Sequence, residues 1–300
     1  MKPLVECVPN VSEGRDPQVL DLLAAVVTQV PGVHLLDLHR DEDHHRAVLT
    51  CAGEPEAVAQ AAFTLVQAAM ERIDVSRHMG QHPRIGAVDV VPFVPLRDVT
   101  MAQCVELARA VGARIGTELE IPVFLYEEAA VVPQRKHLEH IRKGGLEALG
   151  RRMHTDALWR PDFGPPKLHP TAGAVVVGAR DILIAFNVVL DTDNVAIAQA
   201  IAKQIRTSGG GLPALKALGI QLPSRGLVQV SMNLTNYRKT PLHVAFEAVK
   251  HQADQWGVGI VESELVGLVP QDAILHVAAH YLKLPHLASR QILETRLCEE

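Results

Sequence analysis

The chain has 300 residues, 48% of them hydrophobic, with 29 Lys and Arg against 34 Asp and Glu for a net charge of -5. That length allows two domains of about 150 residues each, and without a basic tract the charge balance argues against nucleic acid as a partner. No apolar run approaches the roughly 20 residues of a membrane helix, so no membrane partner is expected.

Cys7, Cys51, Cys104 and Cys298 are scattered, lack metal spacing and fit a reducing compartment. The start, Met1-Lys2-Pro3, reads as neither signal peptide nor anchor. Leu4–Pro9 fits a buried strand ending in the polar Asn10-Val11-Ser12-Glu13-Gly14. Asp16 and Pro17 read as the cap and first residue of a helix whose stripe is Leu20, Leu23, Ala24 and Val27. Val33–Leu38 and Ala47–Cys51 are strand patterns separated by His39-Arg40-Asp41-Glu42-Asp43-His44-His45-Arg46, which reads as a charged loop. Glu54–Ile73 is a helix with Val58, Ala62, Leu65 and Ala69 on one face.

Next comes Arg77-His78-Met79-Gly80-Gln81-His82-Pro83-Arg84-Ile85-Gly86-Ala87-Val88-Asp89. Two imidazoles, two guanidiniums and a carboxylate share one turn between a helix and a strand. Pro83 stiffens the chain after His82, and Gly86 can supply a backbone conformation closed to other residues. A His is the side chain most easily poised to move a proton near neutral pH. The stretch reads either as a catalytic turn or as a polar surface loop.

Ala87–Pro95 is a buried strand, and Thr100 with Gln103 has capping-box spacing for a helix carrying Val105, Ala108, Ile115 and Leu119. Pro122–Tyr126 is a strand, and a basic helical segment runs from about Arg135 to Arg152. From Trp159 to Gly173, four prolines exclude helix and central strand, leaving a linker or a rigid binding loop. The second half repeats the order of the first. Strands at Ala174–Gly178 and Ile182–Phe186, the latter followed by Asn187, lead to a helix with Ile197, Ile201 and Ile205. Then come a strand at Leu227–Met232 followed by Asn233, a helix capped at Thr240-Pro241, a strand at Val258–Val261, a helix at Gln271–Tyr281 and a helical tail. Two α/β (α+β) subdomains are expected, 1–178 and 179–300, each a mixed β-sheet covered by helices on one face. Ligands of such folds gather in a crevice at strand ends and between subdomains, where Asn10, Asn187 and Asn233 are expected.

Val5-Glu-Cys-Val-Pro-Asn-Val-Ser-Glu-Gly14, Gly80-Gln-His-Pro-Arg-Ile-Gly-Ala-Val-Asp89, Asp162-Phe-Gly-Pro165, Gly178-Ala-Arg-Asp-Ile-Leu-Ile-Ala-Phe-Asn187, Val230-Ser-Met-Asn-Leu234 and Leu265-Val-Gly-Leu-Val-Pro270 resemble the formiminotransferase family, in order, to about residue 284. The resemblance implies two α/β subdomains with folate bound between them. It implies a transferase moving a formimino group between N-formimino-L-glutamate and N5 of tetrahydrofolate, in histidine breakdown and one-carbon metabolism. Tetrahydrofolate would be a co-substrate, and neither a metal nor a redox cofactor is needed. A cytoplasmic homodimer acting on small molecules is expected. Vertebrate members continue into a deaminase domain, for which 300 residues leave no room, so the single-function form is expected.

The family's catalytic base falls on His82, and its folate segment on Phe163, Gly164, Pro165, Pro166, Lys167, Leu168, His169, Pro170, Thr171 and Ala172. Pro166 to Thr171 depart from the family pattern. If Phe163 stacks on folate, its removal is expected to weaken folate binding and leave folding intact. Arg46 and Arg84 could clamp substrate carboxylates, with an internal salt bridge as the alternative for Arg84. The family usually has an Asp near position 39, where this chain has His39; Asp37, Asp41 or Asp43 could supply the carboxylate partner of His82. The dense His and Asp stretch also raises a metal-dependent amidine or amide hydrolase. A non-catalytic folate-binding module and transfer of formimino or formyl groups with another amino acid, such as glycine, are further alternatives.

Overall fold

The structure, a computed structural model, describes residues 2–78 and 83–298. The chain divides into two compact units, Met1–Asp181 and Ile182–Glu300.

In the first unit β1 (Leu4–Cys7) and β2 (Asn10–Val11) are two pieces of one line of chain, interrupted at Val8-Pro9. Both lie between β4 (Arg46–Gly53) and β5 (Val88–Arg97), antiparallel to each. β3 (Val33–Asp41) pairs with the outer edge of β4. α1 (Pro17–Thr28) joins β2 to β3, and α2 (Pro55–Arg72) links β4 toward β5. The connectivity is β-α-β-β-α-β, with the first strand between the third and the fourth, as in a ferredoxin-like unit. The chain then adds α3 (Met101–Glu118), β6 (Val123–Glu127), α4 (Leu138–Arg142), α5 (Gly145–Thr155) and β7 (Val175–Ala179). β7 runs parallel to both β5 and β6, completing a seven-stranded mixed sheet.

Local chemistry places the helix starts where the sequence puts them. The Asp16 carboxylate accepts from the Gln18 N–H at 2.9 Å, and Thr100 and Gln103 close a capping box. Leu20, Leu23, Val58, Leu65, Ala108 and Ile115 from α1 to α3 bury against Val5, Cys7, Leu49, Phe93 and Leu125 of the sheet. The opposite face is also covered at its parallel end, where Ile141, Leu149 and Met153 pack on Val90, Phe124, Tyr126 and Val176. Helices on one face alone were expected. Parallel strands need cover on both faces, and the β6-to-β7 crossover supplies the second layer as α4 and α5. That crossover is not one helix, because Gly144 and Gly145 both take positive φ (78° and 69°) and break it.

The second unit repeats the topology with β8 (Ile184–Leu190), α6 (Val195–Ile205), β9 (Leu215–Leu222), β10 (Leu227–Leu234), α7 (Leu242–Trp256) and β11 (Ile260–Val266). Its strand order, β11-β8-β10-β9, is that of the first unit's ferredoxin-like part. Ile201, Ile205, Ala245 and Val249 bury against Val188, Leu190, Val230 and Met232. This sheet is antiparallel throughout, where a mixed sheet was expected, because among the described residues no added crossover strand follows its fourth strand. α8 (Gln271–Leu282) and α9 (Leu293–Cys298) follow.

Three local expectations change. Asn187 lies inside β8, paired opposite Ser231 and Glu264, and Asn233 lies inside β10; neither ends its strand. Thr240 does not cap α7, since its hydroxyl donates to the Pro213 carbonyl at 2.5 Å. Half of the charged stretch is strand: His39 to Asp41 end β3 and Arg46 starts β4, while Glu42 to His45 form the turn between them. Among the described residues no helix is long and apolar enough to cross a membrane.

Candidate active site

Three segments of the first unit meet: the loop Ser12 to Asp16 after β2, the β3–β4 hairpin tip, and Pro83 to Asp89 leading into β5. Gly14 is small because the hairpin lies on it; a methyl there would sit 2.3 Å from the Asp41 carbonyl oxygen. The Ser12 hydroxyl donates to the Gly86 carbonyl at 2.7 Å, and the Ser12 N–H to the Ala87 carbonyl at 2.8 Å. Gly86 serves space rather than an unusual φ, since a methyl there would lie 1.8 Å from the Ala174 carbonyl oxygen. Asp89 holds the turn from below. Its Oδ1 accepts from the Ile85 N–H at 2.7 Å, and its Oδ2 accepts from Arg142 of α4, through Nε at 2.9 Å and through Nη2. Asp89 is 3% exposed, so the guanidinium supplies the countercharge a buried carboxylate needs.

The charged hairpin is tightly wired. Both Asp41 oxygens meet His44, Oδ1 its N–H at 2.8 Å and Oδ2 its ring Nδ1 at 2.5 Å. Burial would raise the Asp41 pKa, but the side-chain and backbone hydrogen bonds from His44 outweigh it and hold the carboxyl below its usual value. Glu13 Oε1 accepts from the N–H groups of Gly14, Arg15 and Asp16 at 2.9, 2.7 and 2.9 Å and lies 3.7 Å from the His45 ring. The Arg15 guanidinium donates to the Glu42 carbonyl at 3.0 Å. His78 packs on His45 with ring centroids 3.9 Å apart. Its Nε2 is 2.9 Å from the His45 carbonyl, and its Nδ1 meets the Arg84 Nη1. Burial first, then the charge of Arg84, lowers the His78 pKa to about 4.

Against the sequence expectations, His82 lies outside the described residues. Arg84 and Arg46 both belong to the hairpin region: Arg84 Nη2 donates to the His44 carbonyl at 3.4 Å, and Arg46 pairs opposite Asp41 at the start of β4. Of the three candidate carboxylates, Asp41 is engaged by His44, while Asp37 sits back along β3 opposite Thr50. The Asn10 amide donates to the Val8 carbonyl at 3.2 Å. Asn187 is buried in the second unit, where its amide donates to Glu264 Oε2 at 2.9 Å, and Asn233 is exposed there. Among the described residues no group of three or more His, Cys, Asp or Glu could hold a metal ion.

The segment 163–172 is irregular but anchored. The Phe163 carbonyl accepts from Val123 N–H at 2.9 Å, and its ring lies on α3, where methyls at Gly112 and Gly116 would meet its ring and Cβ at 3.2 and 2.8 Å. Phe163 thus packs against the first core, so its removal is expected to cost stability, contrary to the sequence expectation. Asp162 ties the same segment to β6 through the Leu125 N–H at 2.7 Å and to the buried Arg135 at 2.7 Å. Leu168 packs on the α4–α5 side, and His169 Nδ1 accepts from the Ala172 N–H at 3.0 Å. Gly164, Pro166, Lys167 and Pro170 are exposed.

Sequence reasoning missed Arg142 and the roles of Glu13 and His78. A carboxylate inside the apolar pattern Ala87–Pro95 was the one available signal, because a buried acid requires a cation from elsewhere in the chain.

Residues 4–180 match the model of the formiminotransferase domain, N-terminal subdomain, and residues 185–296 that of the formiminotransferase domain. The chain belongs to the formiminotransferase family. It is 47% identical to the glutamate formimidoyltransferase of Streptococcus pyogenes serotype M1 over 298 residues, covering 99% of each chain. It is likewise 47% identical to the glutamate formimidoyltransferase of Thermoplasma acidophilum, covering 98% of this chain and 97% of that one. The formimidoyltransferase-cyclodeaminase of Mus musculus is 43% identical and matches 94% of this chain across 53% of its own length.

Proposed function

We propose that the protein transfers a formimino group between N-formimino-L-glutamate and tetrahydrofolate, giving 5-formiminotetrahydrofolate and L-glutamate, with His82 as general acid and base. The carrying observation is the 47% identity to a glutamate formimidoyltransferase across 99% of both chains. N5 of the folate attacks the amidine carbon and forms a C–N bond, and its proton passes to the His82 imidazole. The tetrahedral intermediate collapses as the C–N bond to glutamate breaks, and the same imidazole returns the proton to the departing amine. Such acid–base help is typically worth about 10²–10⁴-fold in rate.

The neighbours support this assignment of roles. Both ring nitrogens of His78 are engaged, one by a carbonyl and one by a guanidinium, which leaves that ring unsuited to carrying a proton between reactants. Arg84 and Arg46 supply cations for the glutamate carboxylates, and the exposed Lys167 supplies one for those of folate.

The test is a spectroscopic assay for folate product with tetrahydrofolate and formiminoglutamate, with formiminoglycine and formylglutamate as rival donors, before and after chelation. Product from formiminoglutamate in preference to both, unaffected by chelator, is expected. Preference for another donor would reassign the substrate, and loss restored by one divalent ion would favour a metal-dependent hydrolase.

A further inference from the structure

The partners of His78 determine where its proton sits. A guanidinium can only donate and a carbonyl can only accept. The His78 Nδ1 that meets Arg84 therefore carries a lone pair, and the Nε2 that faces the His45 carbonyl at 2.9 Å carries the hydrogen. Only the neutral ring can hold both contacts. The carbonyl it reaches is itself held in an uncommon position, since His45 has φ 48° at the hairpin tip and its ring packs on His78. The chain His45 carbonyl to His78 to Arg84 thus aims one guanidinium.

Of the charged groups near Arg84, Asp89 acts on it as a countercharge, and Arg15 and Arg142 act on it as like charges. Asp89 is itself gripped by Arg142 and the Ile85 N–H, Asp41 by His44, and Glu13 Oε1 by three backbone N–H groups.

We propose that His78 is a positioning residue whose neutral ring aims Arg84 at a carboxylate of the amino-acid substrate. The inference rests on the transfer reading above. Among the described residues, the charged groups facing His78 are Glu13 from the loop after β2, His45 from the hairpin, and Arg84. Because donor and product both carry the glutamate carboxylates, the same site serves either direction of transfer.

The experiment measures L-glutamate binding by calorimetry beside steady-state kinetics. His78→Ala is expected to raise the glutamate Kd and the formiminoglutamate KM about tenfold, the weight of one hydrogen bond to a charged group. The folate KM and kcat should stay within about twofold. His78→Asn, whose amide oxygen can take the place of Nδ1, should recover most of the loss. Arg84→Gln should weaken glutamate binding similarly, and the double variant should be no worse than Arg84→Gln alone, because the two residues act as one unit. Unchanged glutamate affinity in His78→Ala, or additive losses in the double variant, would overturn the proposal. If His78→Ala does not fold, as read by thermal melting, His78→Gln replaces it, since its amide reaches past the Nδ1 position. Wild-type protein that binds glutamate in this Arg84- and His78-dependent way, yet forms no folate product, would overturn the transfer reading and leave this one standing.

Discussion

At the scale of single residues, two imidazoles four positions apart are expected to behave in opposite ways. His82→Ala should lower kcat by roughly 10²–10⁴-fold with little change in folate affinity, and the limb of the pH–rate profile near neutrality should disappear. A variant that keeps both its turnover and that limb would move the base to another histidine. His78, beside its effect on substrate affinity, should register in stability rather than in turnover. Its proton is disfavoured in the folded chain, by burial and then by Arg84, with a pKa of about 4 against 6.5. Between those values the unfolded chain binds more protons. The stability contributed by the neutral ring is therefore fully present above pH 6.5 and is lost as pH falls toward 4. His45, lowered chiefly by burial, acts in the same direction. Urea midpoints measured across this window should fall more steeply for the wild type than for His78→Asn; parallel curves would remove the linkage.

At the scale of elements, the candidate site depends on two anchors behind it. Arg142 of α4 holds Asp89 at the start of β5 across 53 residues of sequence. Arg142→Ala leaves a carboxylate buried without its cation and should cost about 3–5 kcal/mol by chemical denaturation. Adding Asp89→Asn should restore part of that, and a single variant as stable as wild type would make the pair incidental. Phe163 anchors the segment 163–172 on the glycines of α3. Phe163→Ala should lower the melting temperature as well as folate affinity, by up to about 3 kcal/mol for a half-buried ring; an unchanged melting curve would show the ring to be dispensable for packing. These anchors mark the limit of what the chain discloses by itself. Caps such as Asp16 and Thr100 were legible because a cap is written within four residues. The motif stood out because its polar residues crowd one short stretch of sequence. The partner of Asp89 was not, since nothing local selects one Arg from a basic segment. The ends of β8 and β10 were not legible either, because the length of a strand is set by the neighbours that pair with it.

At the scale of the whole molecule, the same β-α-β-β-α-β unit is built twice, and each copy buries its own apolar core. The order of elements disclosed the repetition, while the antiparallel character of the second sheet depended on pairings that no single element carries. Slow hydrogen exchange should follow these pairings. Amides of β8 and β10, bonded on both sides, should outlast those of β9 and β11 at the edges. Edge amides as protected as central ones would mean that something covers the edges of that sheet.

Gly86 and Gly173 let two backbones touch, forming a bridge flanked by bonds from Ala87 N–H to the Ala172 carbonyl and from Ala174 N–H to the Ile85 carbonyl. A third bond, from Val75 N–H to the Thr171 carbonyl, extends this seam. The stretch that carries Arg84 and the stretch that ends the loop 163–172 are therefore stitched together residue by residue. Over evolutionary time neither can gain or lose a residue beside the seam without shifting the other's register. The exposed tip of that loop can change length without disturbing the seam, while the register between the stretch carrying Arg84 and the root of the loop is inherited as a single unit.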